Sequence, residues 1–285
     1  IIADEAATNS MRTNLNKMNI KGNIVIGEGE MDEAPMLYIG ERVGTENGPE
    51  LDIAVDPLEG TNFVAKNLPG AISVIAISNK NDLLNAPESY MEKISYPSGI
   101  DQNAIDLDFS LKKNLSNLAD SKNKKFENLR ICVLDRPRHK KIIDEAKSLN
   151  IDVKLISDGD VSGALLVTDE KHNIDLFLGI GGGPEGVLAA SALDSYGCGF
   201  QGRFVFDTDE LKKRANKMGI NDLEKKYKLD EIVKGDSLFC ATGITKGDLV
   251  NGLELKDNKM VVNTLITHKS QNMKKIVTGE IDIKK

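Results

Sequence analysis

Asp56, Glu59 and Thr61 lie close together at the end of an apolar run, in the stretch "DIAVDPLEGTNFVAKN" (52–67). Ile53, Ala54 and Val55 read as a buried strand, and the chain then breaks at Asp56 and Pro57. A carboxylate at the end of a buried strand is costly unless something compensates its charge. A hard divalent cation does so, because it takes oxygen ligands. The turn begun by Pro57 can point both carboxylates, with the Leu58 carbonyl between them, toward one place. Gly60 allows tight backbone, and Thr61 would open the next helix, whose N-terminal amides suit a phosphate. The stretch therefore offers acids for a metal, amides for a phosphate and a hydroxyl near both. Taken alone, the same residues also read as a turn followed by a helix N-cap.

Two further stretches repeat the pattern. "IGEGE" (26–30) is a strand ending in Glu28 and Glu30, and "GGGPEG" (181–186) is a glycine-rich strand exit with Glu185 at a helix start. Three acidic strand exits in one chain suggest a single convergent site. Asp32 and Glu33, just beyond the first of them, are expected to be solvated or capping. The histidines His139, His172 and His268 share no ligand spacing and do not read as catalytic.

These residues must be positioned by secondary structure. Ala3, Ala6, Ala7, Met11, Leu15 and Met18 recur at helical spacing. The chain opens on this helix as if already under way, so residues upstream of Ile1 are expected. Strands follow at "NIVIG", "LDIAVD", "AISVIAISN" and "SYMEKISYP", the third apolar enough to be buried on both faces. A helix over 110–119 precedes the polar, basic stretch "SKNKKFEN" (121–128), which reads as a linker. After it, "LRICVLDR", "RHKKIIDEAKSLN", "IDVKLISDGD", "VSGALLVT", "IDLFLGIGGG" and "PEGVLAASALDSYG" alternate strand and helix, the rhythm of a largely parallel sheet. In such a layer ligands bind at the C-terminal ends of the strands. The chain closes on strands around "SLFCATG" and "MVVNTLITHKS". The expected domains are therefore 1–128 and 129–285.

Composition narrows the function classes. The 285 residues are 40% hydrophobic and carry a net charge of −7, an ordinary globular composition. No apolar run nears the ~18 residues of a membrane span, and no cationic start with an apolar stretch marks a signal peptide. A cytoplasmic protein without a membrane partner is expected. The acidic balance argues against nucleic acid, which calls for a basic face. It leaves an anionic small molecule open, because bound metal ions reverse the local sign. Cys132, Cys198 and Cys240 are far apart in apolar settings and read as reduced thiols in or near the core.

"IVIGEGEMDEAPMLYIGERVG", "DIAVDPLEGT", "APESYMEKI", "RPRH", "SDGDVSGAL", "GIGGGPEGV" and "FCATGITKGDL" occur in this order. The set resembles the class II fructose-1,6-bisphosphatases, within the lithium-sensitive, metal-dependent sugar and inositol phosphatases, over nearly the whole chain. The resemblance implies an α/β sugar-phosphatase fold, a layered α-β-α-β-α sandwich with two sheets and the metals between the domains. It implies hydrolysis of the 1-phosphate of fructose 1,6-bisphosphate, with Mn²⁺ or Mg²⁺ as cofactor and a homo-oligomer, dimer or tetramer, as the assembly. It also places an additional lysine upstream of Ile1. By resemblance, Asp4 and Glu28 are ligands of one metal, and Asp56, Glu59 and Glu185 of a second. Thr61 helps activate the attacking water, with Asp56 and Glu59 counted in the catalytic set. Glu59, Gly60 and Thr61 line the scissile phosphate, and Tyr90, Arg136, Arg138, Asp158, Gly159, Asp160 and Gly182 hold the sugar bisphosphate.

The residues themselves agree with these roles and leave alternatives. Arg136 and Arg138 flank Pro137 at a strand exit, where two guanidiniums suit the non-reacting phosphate; they also read as a solvated basic turn. Asp158 and Asp160 suit sugar hydroxyls or the N-cap of a helix beginning at Val161. Tyr90 also reads as packing, and Asp4 as a partner of its helix dipole. Rival functions are an inositol-phosphate or sedoheptulose-bisphosphate phosphatase, and a non-catalytic sugar-phosphate sensor. The Arg pair favours a bisphosphate, and an intact Thr61 favours a catalyst.

Overall fold

The computed structural model describes residues 2–29 and 36–283; Glu30, Asp32 and Glu33 lie outside the described residues. The chain gathers into two compact units, Ile1–Ala86 with Ile232–Lys285, and Pro87–Glu231. The first unit begins with α1 (Ile2–Leu15), β1 (Lys21–Ile26), β2 (Arg42–Val43), β3 (Glu50–Glu59), α2 (Thr61–Ala65) and β4 (Ile72–Asn79). The second holds β5 (Tyr90–Tyr96), α3 (Leu111–Lys122), β6 (Arg130–Leu134), α4 (Lys140–Ser148), β7 (Asp152–Ile156), α5 (Asp160–Leu165), β8 (Leu176–Gly182), α6 (Gly183–Tyr196), β9 (Gly199–Val205), α7 (Asp209–Lys217) and β10 (Lys226–Lys228). Through α8 (Leu229–Ile232) the chain returns to the first unit as β11 (Ser237–Gly243), β12 (Glu254–Lys256), β13 (Lys259–His268) and β14 (Met273–Asp282).

The sheet of the first unit has the order β12-β13-β11-β4-β3-β1-β2, with β14 paired to β13. β1 and β3 are parallel, and β4 is antiparallel to both β3 and β11. α1 lays Met11 and Leu15 against Ile24, Ile53 and Val55. Thr8 and Asp4 lie on that same helical face, one and two turns back from Met11. β4 differs from its expected double burial. Ile72, Val74, Ala76 and Ser78 are buried while Ser73, Ile75 and Ile77 are only half-buried, as befits an antiparallel strand with one fully covered face.

The sheet of the second unit has the order β10-β9-β5-β8-β6-β7. β6, β7 and β8 are parallel, as the strand–helix rhythm predicts, and β5 runs antiparallel between β8 and β9. Ile131, Val133 and Leu176 face a core built with Leu111 and Leu115 of α3 and Ile143 and Ala146 of α4. Phe177, one residue on and so on the other face, lies against Gly163 of α5. Helices therefore cover both faces of this sheet, and the chain has the expected α/β class with two multistranded sheets.

The domain boundary expected after residue 128 runs instead through the second unit. The supposed linker is bolted down: Asp175 takes Lys122 at 2.6 Å, Lys124 at 2.7 Å and the Arg130 amide at 2.9 Å, and Phe126 packs on the α3–β6 core. Polar, basic composition marked a surface segment there, and its lysines are tied to a buried carboxylate. Cys132 and Cys198 are buried and Cys240 half-buried, and none of the three is in a disulfide. Among the described residues no helix is long and apolar enough to cross a membrane.

Candidate active site

In the first unit the acids leave adjacent strands. Ile26 of β1 registers with Ala54 of β3, so Glu28 and Asp56 each follow two residues later on neighbouring parallel strands. Residues three apart in a regular strand face opposite sides, which would separate Asp56 from Glu59. Here Asp56 pairs with Val74 and Glu59 with Ile72, only two residues apart on β4. The extra residue on β3 is a bulge, a device that re-aims side chains, and it turns both carboxylates to one face. Pro57, which cannot donate to a ladder, sits at the bulge. The Asp56 carboxylate accepts the Leu58 amide at 3.1 Å, and Glu59 is buried.

Gly60 is left-handed (φ 82°) and is the N-cap of α2, which no side chain caps. Thr61 is the first helical residue, as expected, and is exposed. The capping alternative for Thr61 is therefore not what the chain adopts. Asp4, in the first turn of α1, is half-buried.

In the second unit, the ends of β6, β7 and β8 and the start of antiparallel β5 meet at one edge of the sheet, with Tyr90 registered to Gly182. Arg138 donates its Nε to the Ile180 carbonyl at 2.9 Å and stacks its guanidinium 4.8 Å from the Tyr90 ring centroid. Arg136 lies 3.5 Å from the Asp158 carboxylate. The two arginines are thus oriented by neighbouring strand exits, unlike a solvated basic turn. Gly159 is left-handed (φ 81°) and caps α5, which begins at Asp160 rather than Val161 and has no side-chain cap. The N-cap position itself is taken by this glycine, so neither Asp158 nor Asp160 occupies it. Asp160 instead pairs with Lys93, whose ammonium also donates to the Gly182 carbonyl at 2.7 Å.

The glycine-rich turn has a steric reason. A Cβ on Gly182 would stand 1.8 Å from the Glu185 carboxylate, and one on Gly181 would stand 2.0 Å from that of Asp160. Desolvation pushes the Glu185 carboxyl up, with Lys93 pulling it back down and Asp160 raising it further. His139 is buried and structural. Its Nδ1 lies 2.7 Å from the Leu134 carbonyl and its Nε2 accepts the Ile180 amide at 2.7 Å. The imidazole is therefore the Nδ1–H tautomer, and burial holds its pKa below the ordinary value.

Asp4, Glu28, Asp56 and Glu59 of the first unit, and Glu185 of the second, each offer only oxygen as donor. The chemistry fits a hard divalent ion. Among the described residues, no three His, Cys, Asp or Glu side chains are gathered closely enough to form a metal cluster.

The model of bacterial, glpX-encoded fructose-1,6-bisphosphatases matches residues 1–280. The chain belongs to this family. A protein of Trichodesmium erythraeum described as a D-fructose 1,6-bisphosphatase class 2/sedoheptulose 1,7-bisphosphatase is 42% identical over 93% of this chain and 84% of its own length. The fructose-1,6-bisphosphatase 1 class 2 of Escherichia coli K12 is 41% identical over 96% of this chain and 85% of its own. A bifunctional class 2 protein of Prochlorococcus marinus MIT 9301 is 41% identical over 92% and 84%.

One residue in this family member escaped sequence reasoning. Lys93 sits in "SYMEKISYP", and its only signal was a lysine at a period-two position shared with Met91 and Ser95. The structure buries it to 1% exposure.

Proposed function

We propose that this chain hydrolyses the 1-phosphate of fructose 1,6-bisphosphate, giving fructose 6-phosphate and phosphate. The observation that carries the reading is the Arg136–Arg138–Tyr90–Asp158 cluster at the ends of β6 to β8 and the start of β5, in a member of this family. A planar guanidinium grips phosphate bidentately, and a monophosphate substrate would need no second cationic cradle. In this reading Arg136 and Arg138 hold the non-reacting phosphate, while Tyr90, Asp158, Gly159, Asp160 and Gly182 hold the sugar. Glu59, Gly60 and Thr61 line the scissile phosphate, and the Thr61 hydroxyl orients the attacking water and passes its proton to a carboxylate. Asp4 and Glu28 would hold one divalent ion, and Asp56, Glu59 and Glu185 a second. When bound, Mn²⁺ or Mg²⁺ supplies charge to neutralise the phosphoryl oxygens and the leaving alkoxide. Phosphoryl transfer needs mainly positioning and charge stabilisation, so no Ser, Cys or His nucleophile is required.

Sedoheptulose 1,7-bisphosphate is the second substrate of this reading, on the strength of the bifunctional relatives. A cytoplasmic homo-oligomer is part of the same proposal; the exposed Ile276, Val277 and Ile281 of edge strand β14 support an assembly. The test is phosphate release from both bisphosphates and from an inositol monophosphate, with Mn²⁺, with Mg²⁺ and with EDTA, alongside light scattering for mass. Release from the bisphosphates alone, abolished by EDTA, is expected. Equal release from the inositol phosphate would overturn the substrate assignment.

A further inference from the structure

Lys93 is unusual for a lysine. It is among the largest fully buried side chains of the described residues, on a strand whose neighbouring inward residues are Met91 and Ser95. Buried ammonium groups persist only when paired, and this one has two partners, the Asp160 carboxylate and the Gly182 carbonyl. Both lie in the proposed sugar-phosphate site, one at the start of α5 and one at the end of β8. The start of α6 closes on the same group, since a Cβ on Gly186 would stand 3.3 Å from Lys93 Cδ. The pairing also leaves Asp160 asymmetric. Oδ2 is committed to the ammonium, while Oδ1 is buried without a hydrogen-bond partner in the structure. An unpartnered carboxylate oxygen in a buried position is costly, and such an atom is an acceptor awaiting a donor.

We propose that Lys93 is a positioning residue of the sugar site: it locks Asp160 and the Gly182 carbonyl in one arrangement, so that the free oxygen of Asp160 accepts a hydroxyl of the sugar. This rests on the sugar-bisphosphate reading above. The ammonium touches no substrate. It acts through Asp160, replacing the mobility of a surface carboxylate with a fixed orientation, and at the same time neutralises a charge that would otherwise face the acid of α6. The ligand class is a polyol carrying phosphate, recognised at a hydroxyl rather than at the phosphate.

Because Lys93 acts through Asp160, the two residues should not contribute independently. Lys93→Met, which keeps the length and removes the charge, should raise KM for fructose 1,6-bisphosphate about tenfold or more, the loss of one charge-assisted hydrogen bond, with little change in kcat. Asp160→Asn should do the same. The double variant Lys93→Met/Asp160→Asn should be no worse than Asp160→Asn alone. A purely structural lysine would lower the melting temperature and leave KM of the folded enzyme unchanged. If Lys93→Met does not fold, the double variant, which buries no unpaired charge, is compared with Asp160→Asn directly. Equal KM supports the proposal, and a further multiplicative rise overturns it. A wild type that turns over the bisphosphate while Lys93→Met keeps its KM overturns the role of Lys93 alone. A wild type inert toward every sugar bisphosphate overturns the function on which that role rests.

Discussion

Thr61 is the residue on which the catalytic reading turns. It opens a helix whose N-cap is Gly60 and which no side chain caps, so removing its hydroxyl takes nothing from helix stability. Thr61→Ala should therefore fold as the wild type does and lose at least ~10²-fold in turnover, the lower end for a positioned proton-transfer group. Thr61→Ser keeps the hydroxyl on a freer rotamer and should retain reduced activity. Turnover by Thr61→Ala near the wild-type level would assign water activation elsewhere. The arginines make a separate forecast. Replacing Arg136 and Arg138 by Ala should raise KM for the bisphosphate, each lost charged contact amounting to roughly 1.5–3 kcal/mol, and Lys at position 136 should not restore it, since a point charge replaces a fork. An unchanged KM in the double variant removes both from the substrate site. Residues of this kind stood out in the sequence as candidates because carboxylates, guanidiniums and glycines at strand ends are rare without a reason. Lys93 was not legible, since nothing local distinguishes a buried lysine from one on a strand's wet face.

At the scale of elements, the strand exits were readable and their geometry was not. "DPLEGT" announced a turn, but the bulge that puts Asp56 and Glu59 on one face depends on the register with β4, a partner in space. His139 shows the same limit. Its side chain ties the end of β6 to the end of β8 through Leu134 and Ile180, a bond that no spacing reveals. That tie carries a pH dependence. Desolvation lowers the folded-state pKa of His139 below the ordinary ~6.5 of the unfolded chain. Above the unfolded value both states hold the neutral ring and the tie is fully present. Below it the unfolded chain takes a proton that the folded one refuses, so stability falls as pH drops through about 6.5. Urea midpoints should therefore decline between about pH 7.5 and 5.5, and His139→Gln should show a smaller decline while being less stable at the higher pH. An identical slope in the variant would place the titration on other groups.

The whole molecule is where linear reading failed, and for a definite reason. A boundary drawn along the sequence assumes that each domain is one continuous stretch. Here the first unit is interrupted: β11 returns after the second unit and pairs with β4 from Ser237↔Ser78 to Gly243↔Ile72, and β13 then pairs with β11. The basic stretch after α3 looked like a junction because it is polar, whereas the two compact units part at 86/87 and 231/232. The two divisions predict different fragments. A piece spanning 87–231 keeps the entire β10-β9-β5-β8-β6-β7 sheet and both helical coverings, so it should fold alone with a cooperative urea transition and dispersed amide resonances. Cutting between 128 and 129 separates β5 and α3 from β6, β8 and β9, which opens the α3–β6 core and strands the buried Asp175 without Lys122 and Lys124. It also parts β4 from β11. Each half would then bury only part of a core, and burial of a continuous core is what offsets chain entropy in domains of this size. Pieces 1–128 and 129–285, expressed separately, should lack cooperative unfolding, while 87–231 should show it. A cooperative 129–285 beside an unfolded 87–231 would restore the boundary after Asn128.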